Sequence, residues 1–342
     1  MTASYISFEN AFYAVTGLAT SLIGGALVLL WVYQTSLIYP AAFPEGSRTE
    51  VFTPDKFSMH DWEDLTLTTP DNLKIKAYLI RRKIELSGAY NDPSRSNKSI
   101  GVDKLSPYTI LYLHANAGNM GHRLPFASLF YKSLKCNIFM LSYRGYGLSE
   151  GSPSEAGIKV DAQTALNYLK EHPTLRFSKI ILFGQSIGGA VAIELASKNP
   201  DLVEGVIVEN TFLSLPKLIP HVMPFIGPLG FLCHQIWPTY KSITLIPRTI
   251  PILMLSGLKD ELVPPSHMHA LASIARASRK GIVVDESMAT VVVGDKTELP
   301  KLVVDEQGVR FVSFKEGKHN DTCIAPGYMD AIEKWWNDFV SK

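Results

Sequence analysis

From residue 11 to residue 33 the chain runs through 23 residues without one charged side chain. As a helix this stretch extends about 34 Å at 1.5 Å per residue, enough for the roughly 30 Å hydrocarbon core of a bilayer. Trp31, Tyr33 and Tyr39 cluster at its C-terminal end, where interfacial aromatics belong. Residues 1–10 hold no Lys or Arg, so the basic lead of a cleaved signal peptide is missing. The pattern predicts a membrane anchor over residues 1–40. Beyond it the pattern changes to short apolar runs alternating with longer amphipathic segments. Residues 65–69 and 73–81 read as an antiparallel pair around Pro70-Asp71-Asn72. Residues 108–113, 137–142, 180–183, 203–208, 251–257 and 309–314 read as further strands, with helices at 153–171 and after residue 188. This alternation predicts one α/β domain with a mostly parallel sheet over residues 41–342.

The run Ile180-Ile181-Leu182-Phe183 leads into Gly184-Gln185-Ser186-Ile187-Gly188 and then Gly189-Ala190-Val191-Ala192. A buried strand, a glycine-framed turn carrying serine and a helix make the nucleophile elbow of an α/β-hydrolase fold. The turn forces Ser186 into a strained backbone conformation at the positive end of the helix. A serine hydroxyl needs a base and a group to orient that base. In this fold they follow in the order acid, then histidine. Asp260 lies in the Gly-x-x-Asp-x-x-Val-Pro loop after the strand at 251–257, and His319 in the loop after the strand at 309–314. Glu209, at the end of another strand, is the rival acid; Asp260 is preferred because its loop leaves the side chain free. Glu261 reads as solvated, and His114, His172, His221, His234, His267 and His269 as packing or solvated residues. The oxyanion would be held by the backbone N–H of Ile187 and by that of Asn116, with Ala115 the alternative, from the small-residue loop at 114–119.

In a hydrolase the segment 211–247 sits where a short lid is expected. It is apolar, yet Pro216, Pro220, Pro224, Pro228 and Pro238 forbid a single helix. Its Phe212, Phe225, Phe231 and Trp237 are candidates to line an acyl pocket, or else ordinary core over the sheet. Residues 82–107 read as a polar loop, and residues 279–308 as an extra segment with no assigned role.

Five blocks resemble the membrane-anchored serine hydrolases grouped as α/β-hydrolase-domain 13 proteins and fungal bud-emergence proteins. They are H-A-N-A-G-N-M-G-H-R (114–123), Y-R-G-Y-G-L-S-E-G-S-P-S-E-A-G (143–157), F-G-Q-S-I-G-G-A-V-A (183–192), V-E-N-T-F (208–212) and H-N-D-T (319–322). The resemblance implies the triad Ser186, Asp260 and His319 reached above, and kinship with protein depalmitoylases. Ala115 stands where that group usually has glycine.

Composition narrows the remaining classes. Lys+Arg 33 against Asp+Glu 32 leaves a net charge of +1 and no basic stripe for nucleic acid. Cys136, Cys233 and Cys323 cannot build a disulfide framework. No metal and no organic cofactor is called for. The expected activity is hydrolysis of an ester or thioester with an apolar acyl group, on an acylated protein or a lipid. The alternatives are a catalytically silent membrane scaffold and an acyltransferase. A single-pass location in an endomembrane or the plasma membrane is expected. Its side is left open, since Arg48 and Lys56 are the first basic residues after the anchor. Two N-x-S/T sequons begin at Asn97 and Asn320; a glycan at Asn320 would obstruct His319. Either the domain faces the cytosol or that sequon is buried.

Overall fold

The computed structural model describes residues 8–84, 104–290 and 304–341. Helix α1 (Phe8–Ile38) opens the chain. Strands β1 (Trp62–Thr68) and β2 (Lys74–Ile80) form the expected hairpin, and the short β3 (Lys83–Ile84) and β4 (Lys104–Leu105) pair with each other. The middle of the expected polar loop lies outside the described residues. Then follow β5 (Tyr108–Leu113), α2 (Leu124–Ser133), β6 (Asn137–Leu141), α3 (Glu155–Glu171), β7 (Lys179–Gln185), α4 (Ile187–Lys198) and β8 (Gly205–Glu209). The last part comprises α5 (Leu215–Val222), α6 (Thr239–Ser242), β9 (Ile252–Gly257), α7 (Pro265–Arg279), β10 (Val304–Glu306), β11 (Val309–Phe314) and α8 (Tyr328–Phe339).

Nine strands form one sheet in the order β1-β2-β6-β5-β7-β8-β9-β11-β10. From β6 to β11 the pairings are parallel, and the edge pairings β1–β2, β2–β6 and β11–β10 are antiparallel. Strand alternation divides the core. Leu111, Leu113, Ile180 and Leu182 pack with α3, α4 and α7 on one face. Ile110, Tyr112, Ile181 and Phe183 pack with α2 and the Trp335–Trp336 pair of α8 on the other. A sheet covered on both faces needs strands apolar on both sides, which is why these runs read as continuous rather than alternating. Of the extra segment before the last strand, Glu286–Ala289 is a 3-10 turn with Ala289 in the core, and β10 seals the sheet edge. Residues 291–303 lie outside the described residues.

The block at 143–157 has a structural reason. Arg144 sends Nε and Nη2 to Oδ1 of Asp161 at 2.9 and 2.8 Å, and Nη1 to Asp71 at 2.7 Å. It thereby ties the β1–β2 turn to α3. A Cβ on Gly157 would come within 2.4 Å of Arg144 Cδ, so glycine there makes room for the guanidinium. Ser154 caps α3 by accepting the Gly157 amide at 3.1 Å.

Helix α1 is long and apolar enough to cross a membrane. Most of its side chains are exposed, but Leu27, Leu30, Gln34 and Ile38 form a partly covered stripe at helical spacing against the domain. Tyr39 does not face outward as its sequence context suggested. It is buried, donates to Gln235 Oε1 at 3.0 Å and accepts from Trp237 Nε1 at 2.9 Å. The helix end docks into the lid segment, which draws Tyr39 inward.

Asp161 is fully buried, and its loss would leave the Arg144 charge in the interior with only the exposed Asp71. Asp161→Ala should destabilise the domain by about 3–5 kcal/mol, read by denaturant or thermal unfolding. A change below about 1 kcal/mol would mean that Arg144 escapes to solvent.

Candidate active site

Helix α4 runs back so closely over the sheet that side chains are excluded at both ends of the turn before it. A Cβ on Gly184 would lie 2.0 Å from the Gly188 carbonyl oxygen, and one on Gly188 would lie 2.1 Å from that of Leu113. Between them Ser186 takes φ 56°, ψ −120°, a conformation that costs of order 1–3 kcal/mol for a residue with a side chain. Its backbone is clamped: the Ser186 N–H donates to Glu209 O at 2.8 Å, and Thr211 Oγ1 donates to Ser186 O at 2.7 Å. The Ile187 N–H opens α4 and belongs to the first-turn amides an α-helix leaves without an internal acceptor.

Asp260 and His319 meet although they are 59 residues apart, His319 Nδ1 standing 2.8 Å from Oδ2 and 3.0 Å from Oδ1. The Asp260 carboxylate is oriented by the amides of Leu262 and Val263 at 2.9 and 2.8 Å. With Nδ1 engaged, Nε2 is the ring nitrogen left for a proton. Ser186, Asp260 and His319 are all buried. Ser186 Oγ makes no hydrogen bond to His319 among the described residues. Glu261, expected to be solvated, accepts the His319 amide at 3.4 Å.

Glu209, the rival acid, does not bond the histidine. It is buried, with Tyr328 Oη donating to one carboxylate oxygen and Gln185 Nε2 to the other at 3.2 Å. Gln185 Nε2 also donates to the His319 carbonyl at 3.0 Å, so the neighbour of Ser186 is tied to the histidine loop.

Sequence reasoning gave Asn210 no role. It sits at φ 47°, a left-handed conformation that Asn tolerates better than most residues. Its Nδ2 donates to Lys318 O, His319 O and Thr322 Oγ1 at 3.0–3.2 Å, while Oδ1 accepts the Gly257 amide at 2.8 Å. One side chain thus joins the loops that follow β8, β9 and β11. The available signal was an Asn directly after a strand, inside the block V-E-N-T-F.

The loop after β5 abuts the start of α4, since a Cβ on Gly188 would also lie 2.8 Å from His114 O. Buried His114 directs Nδ1 to Ala115 O at 2.7 Å and accepts the Tyr143 amide at 3.5 Å, a neutral tautomer whose pKa burial pushes down to about 3. Asn116 Oδ1 accepts from Tyr146 Oη at 2.7 Å, and its Nδ2 donates to the Ile38 carbonyl at the end of α1. The oxyanion candidates therefore stand on adjoining segments.

The expected aromatic pocket is not formed. Phe212 and Trp237 belong to the core, and Phe225 and Phe231 project outward. Aliphatic side chains of the lid instead border a cavity of about 240 Å³ that Asn116 also lines. The prolines fold the segment into α5, a 3-10 stretch (Pro224–Leu232) and α6, with Phe225 and Phe231 turned outward.

Residues 108–232 match the family model described as alpha/beta hydrolase fold. Protein bem46 of Schizosaccharomyces pombe is 43% identical over 319 residues, covering 93% of this chain and 90% of that protein. An uncharacterized membrane protein of Saccharomyces cerevisiae is 37% identical over 90% of each. Among solved structures, an esterase of Pyrococcus furiosus superposes with a TM-score of 0.60 at 16% identity, covering 86% of this chain and 96% of that one, a likeness of fold.

Burial raises the Glu209 carboxyl from about 4.5 to about 7 despite the Tyr328 donor. Below pH 4.5 both folded and unfolded chains hold this proton. As the pH climbs to 7 only the unfolded chain releases it readily, so the group's contribution to stability falls over that window. Glu209→Gln should abolish the fall: its melting temperature relative to wild type should rise between pH 5 and pH 8. A pH-independent difference would mean that the carboxylate is charged throughout.

Proposed function

The chain belongs to the α/β-hydrolase family, in the group that contains fission-yeast bem46, and on that premise we propose a membrane-anchored serine hydrolase. Its substrate is an ester or thioester with an apolar acyl group, such as an acylated cysteine of a membrane protein. The observation that carries this reading is the strained Ser186 elbow beside a buried Asp260–His319 pair.

The chemistry follows from the positions. His319 Nε2 accepts the Ser186 proton as Oγ attacks the acyl carbonyl carbon. The negative charge that develops on the carbonyl oxygen is met by the Ile187 and Asn116 amides, each worth roughly 3–4 kcal/mol in such sites. The tetrahedral intermediate collapses, the alcohol or thiol leaves with the proton from His319, and the acyl group remains on Ser186. Water, deprotonated by His319, then releases the carboxylic acid. Asp260 holds the tautomer with Nδ1–H and stabilises the imidazolium that forms twice per cycle.

A fluorophosphonate probe should label the wild-type protein and leave Ser186→Ala unlabelled, while Asp260→Asn should lower turnover roughly 10³–10⁴-fold without unfolding. Equal labelling of wild type and Ser186→Ala would remove the nucleophile assignment. A larger loss in Glu209→Gln than in Asp260→Asn would move the acid.

The membrane reading rests on α1 and on the relative named as a membrane protein. Asn320 is exposed beside buried His319, so a glycan on that sequon would cover the site. We place the catalytic domain on the cytosolic side accordingly. In sealed microsomes the full chain should resist carbonate extraction, and trypsin added outside should degrade the domain. Protection until detergent is added would put the domain in the lumen; release by carbonate would mean that α1 does not span.

A further inference from the structure

The cavity beside the candidate oxyanion loop is built by two segments more than 170 residues apart in the chain. From α1 come Leu30, Leu37 and Ile38, and from the lid Leu218, Ile219 and Leu229. Among the described residues its wall carries no charged side chain. The two walls are fastened by polar bonds rather than left to slide. Buried Gln34 donates to Leu232 O at 3.2 Å and accepts the His234 amide at 2.8 Å. Asn116 at the inner end reaches the Ile38 carbonyl, so the last turn of α1 is bonded directly to the oxyanion loop.

The lid stretch Pro224–Leu232 has no polar side chain at all. Leu229 and Leu232 turn to the cavity, while Phe225 and Phe231 are 101% and 79% exposed. A segment apolar on both sides is at home only in a protein interior or in lipid. The 31 residues of α1 extend about 46 Å, against a hydrocarbon core of roughly 30 Å, so its last turns reach the headgroup boundary. Those turns, from Leu30 to Ile38, are the ones that wall the cavity, and Gln34 among them is bonded to the Pro224–Leu232 stretch at Leu232.

We propose that this cavity is the acyl-chain site, that α1 is one of its walls, and that the chain of a bilayer-resident ester or thioester enters it from the leaflet past Phe225 and Phe231. The transmembrane helix is then a specificity element as well as an anchor. From Leu30 to Ile38 the wall extends about 12 Å along the helix, room for a medium-length acyl chain, and an additional methylene in it gains several-fold in binding. The inference deepens the hydrolase reading and depends on it.

Full-length protein in lipid nanodiscs tests it through kcat/KM for decanoyl over acetyl thioesters. Leu37→Trp and Leu218→Trp, which fill the cavity from opposite walls, should each lower that ratio at least tenfold. Leu22→Trp, on the exposed part of α1, should leave it unchanged. Independently, a long-chain alkyl fluorophosphonate with a terminal diazirine, reacted with wild type and irradiated, should crosslink to residues 30–38 or 215–232. A labelled, active wild type whose ratio neither cavity variant moves, or crosslinks confined to other segments, would overturn the cavity assignment while leaving the hydrolase intact. A wild type that neither labels nor cleaves any ester would overturn both.

Discussion

The close approach of α4 to the sheet governs the site. Gly184 and Gly188 let the helix lie where any Cβ would collide with backbone, and that path leaves Ser186 only a positive φ. The strain, of order 1–3 kcal/mol, persists because neighbouring groups over-determine it. The Ser186 amide is bonded to β8 and its carbonyl to Thr211, so relaxing the turn would break contacts with the strand beside it. The position of Ser186 at the tip of the turn and the rigidity of its backbone thus have one cause.

A second layer of polar groups carries that rigidity to the loops of Asp260 and His319. Asn210 follows β8, whose last carbonyl accepts the Ser186 amide, and bonds the loops of both Asp260 and His319. Gln185 spans from Glu209 to the His319 carbonyl. Buried groups of this kind are costly if left unpaired and specific when satisfied. Here the network fixes three loops at the C-terminal edge of one sheet, where α/β folds place their sites.

Much of this was legible in the sequence because it is local. The strand–Gly-x-Ser-x-Gly–helix order marks the elbow, and Asp260 and His319 each stand just past a recognisable strand. The parallel sheet followed from unbroken apolar runs such as 180–183. What was not legible depends on contacts distant in the chain. Phe225 and Trp237 looked like pocket lining, but only the docking of α1 against the lid decides which side chains face inward. Tyr39 looked interfacial for the same reason, until its bonds to Gln235 and Trp237 are known. Asn210 has no periodic or compositional signature, since its importance lies in four hydrogen-bond partners on loops that meet only in the fold.

The central claim is that Ser186 carries the acyl group between two half-reactions. The most direct measurement is mass spectrometry of Asp260→Asn, expected to turn over slowly, after brief incubation with a decanoyl thioester and an acid quench. The account predicts a decanoyl mass increment on the peptide containing Ser186 that disappears in the Ser186→Ala, Asp260→Asn double variant. An increment on another residue such as Cys323, or product formation with Ser186 replaced, would contradict it.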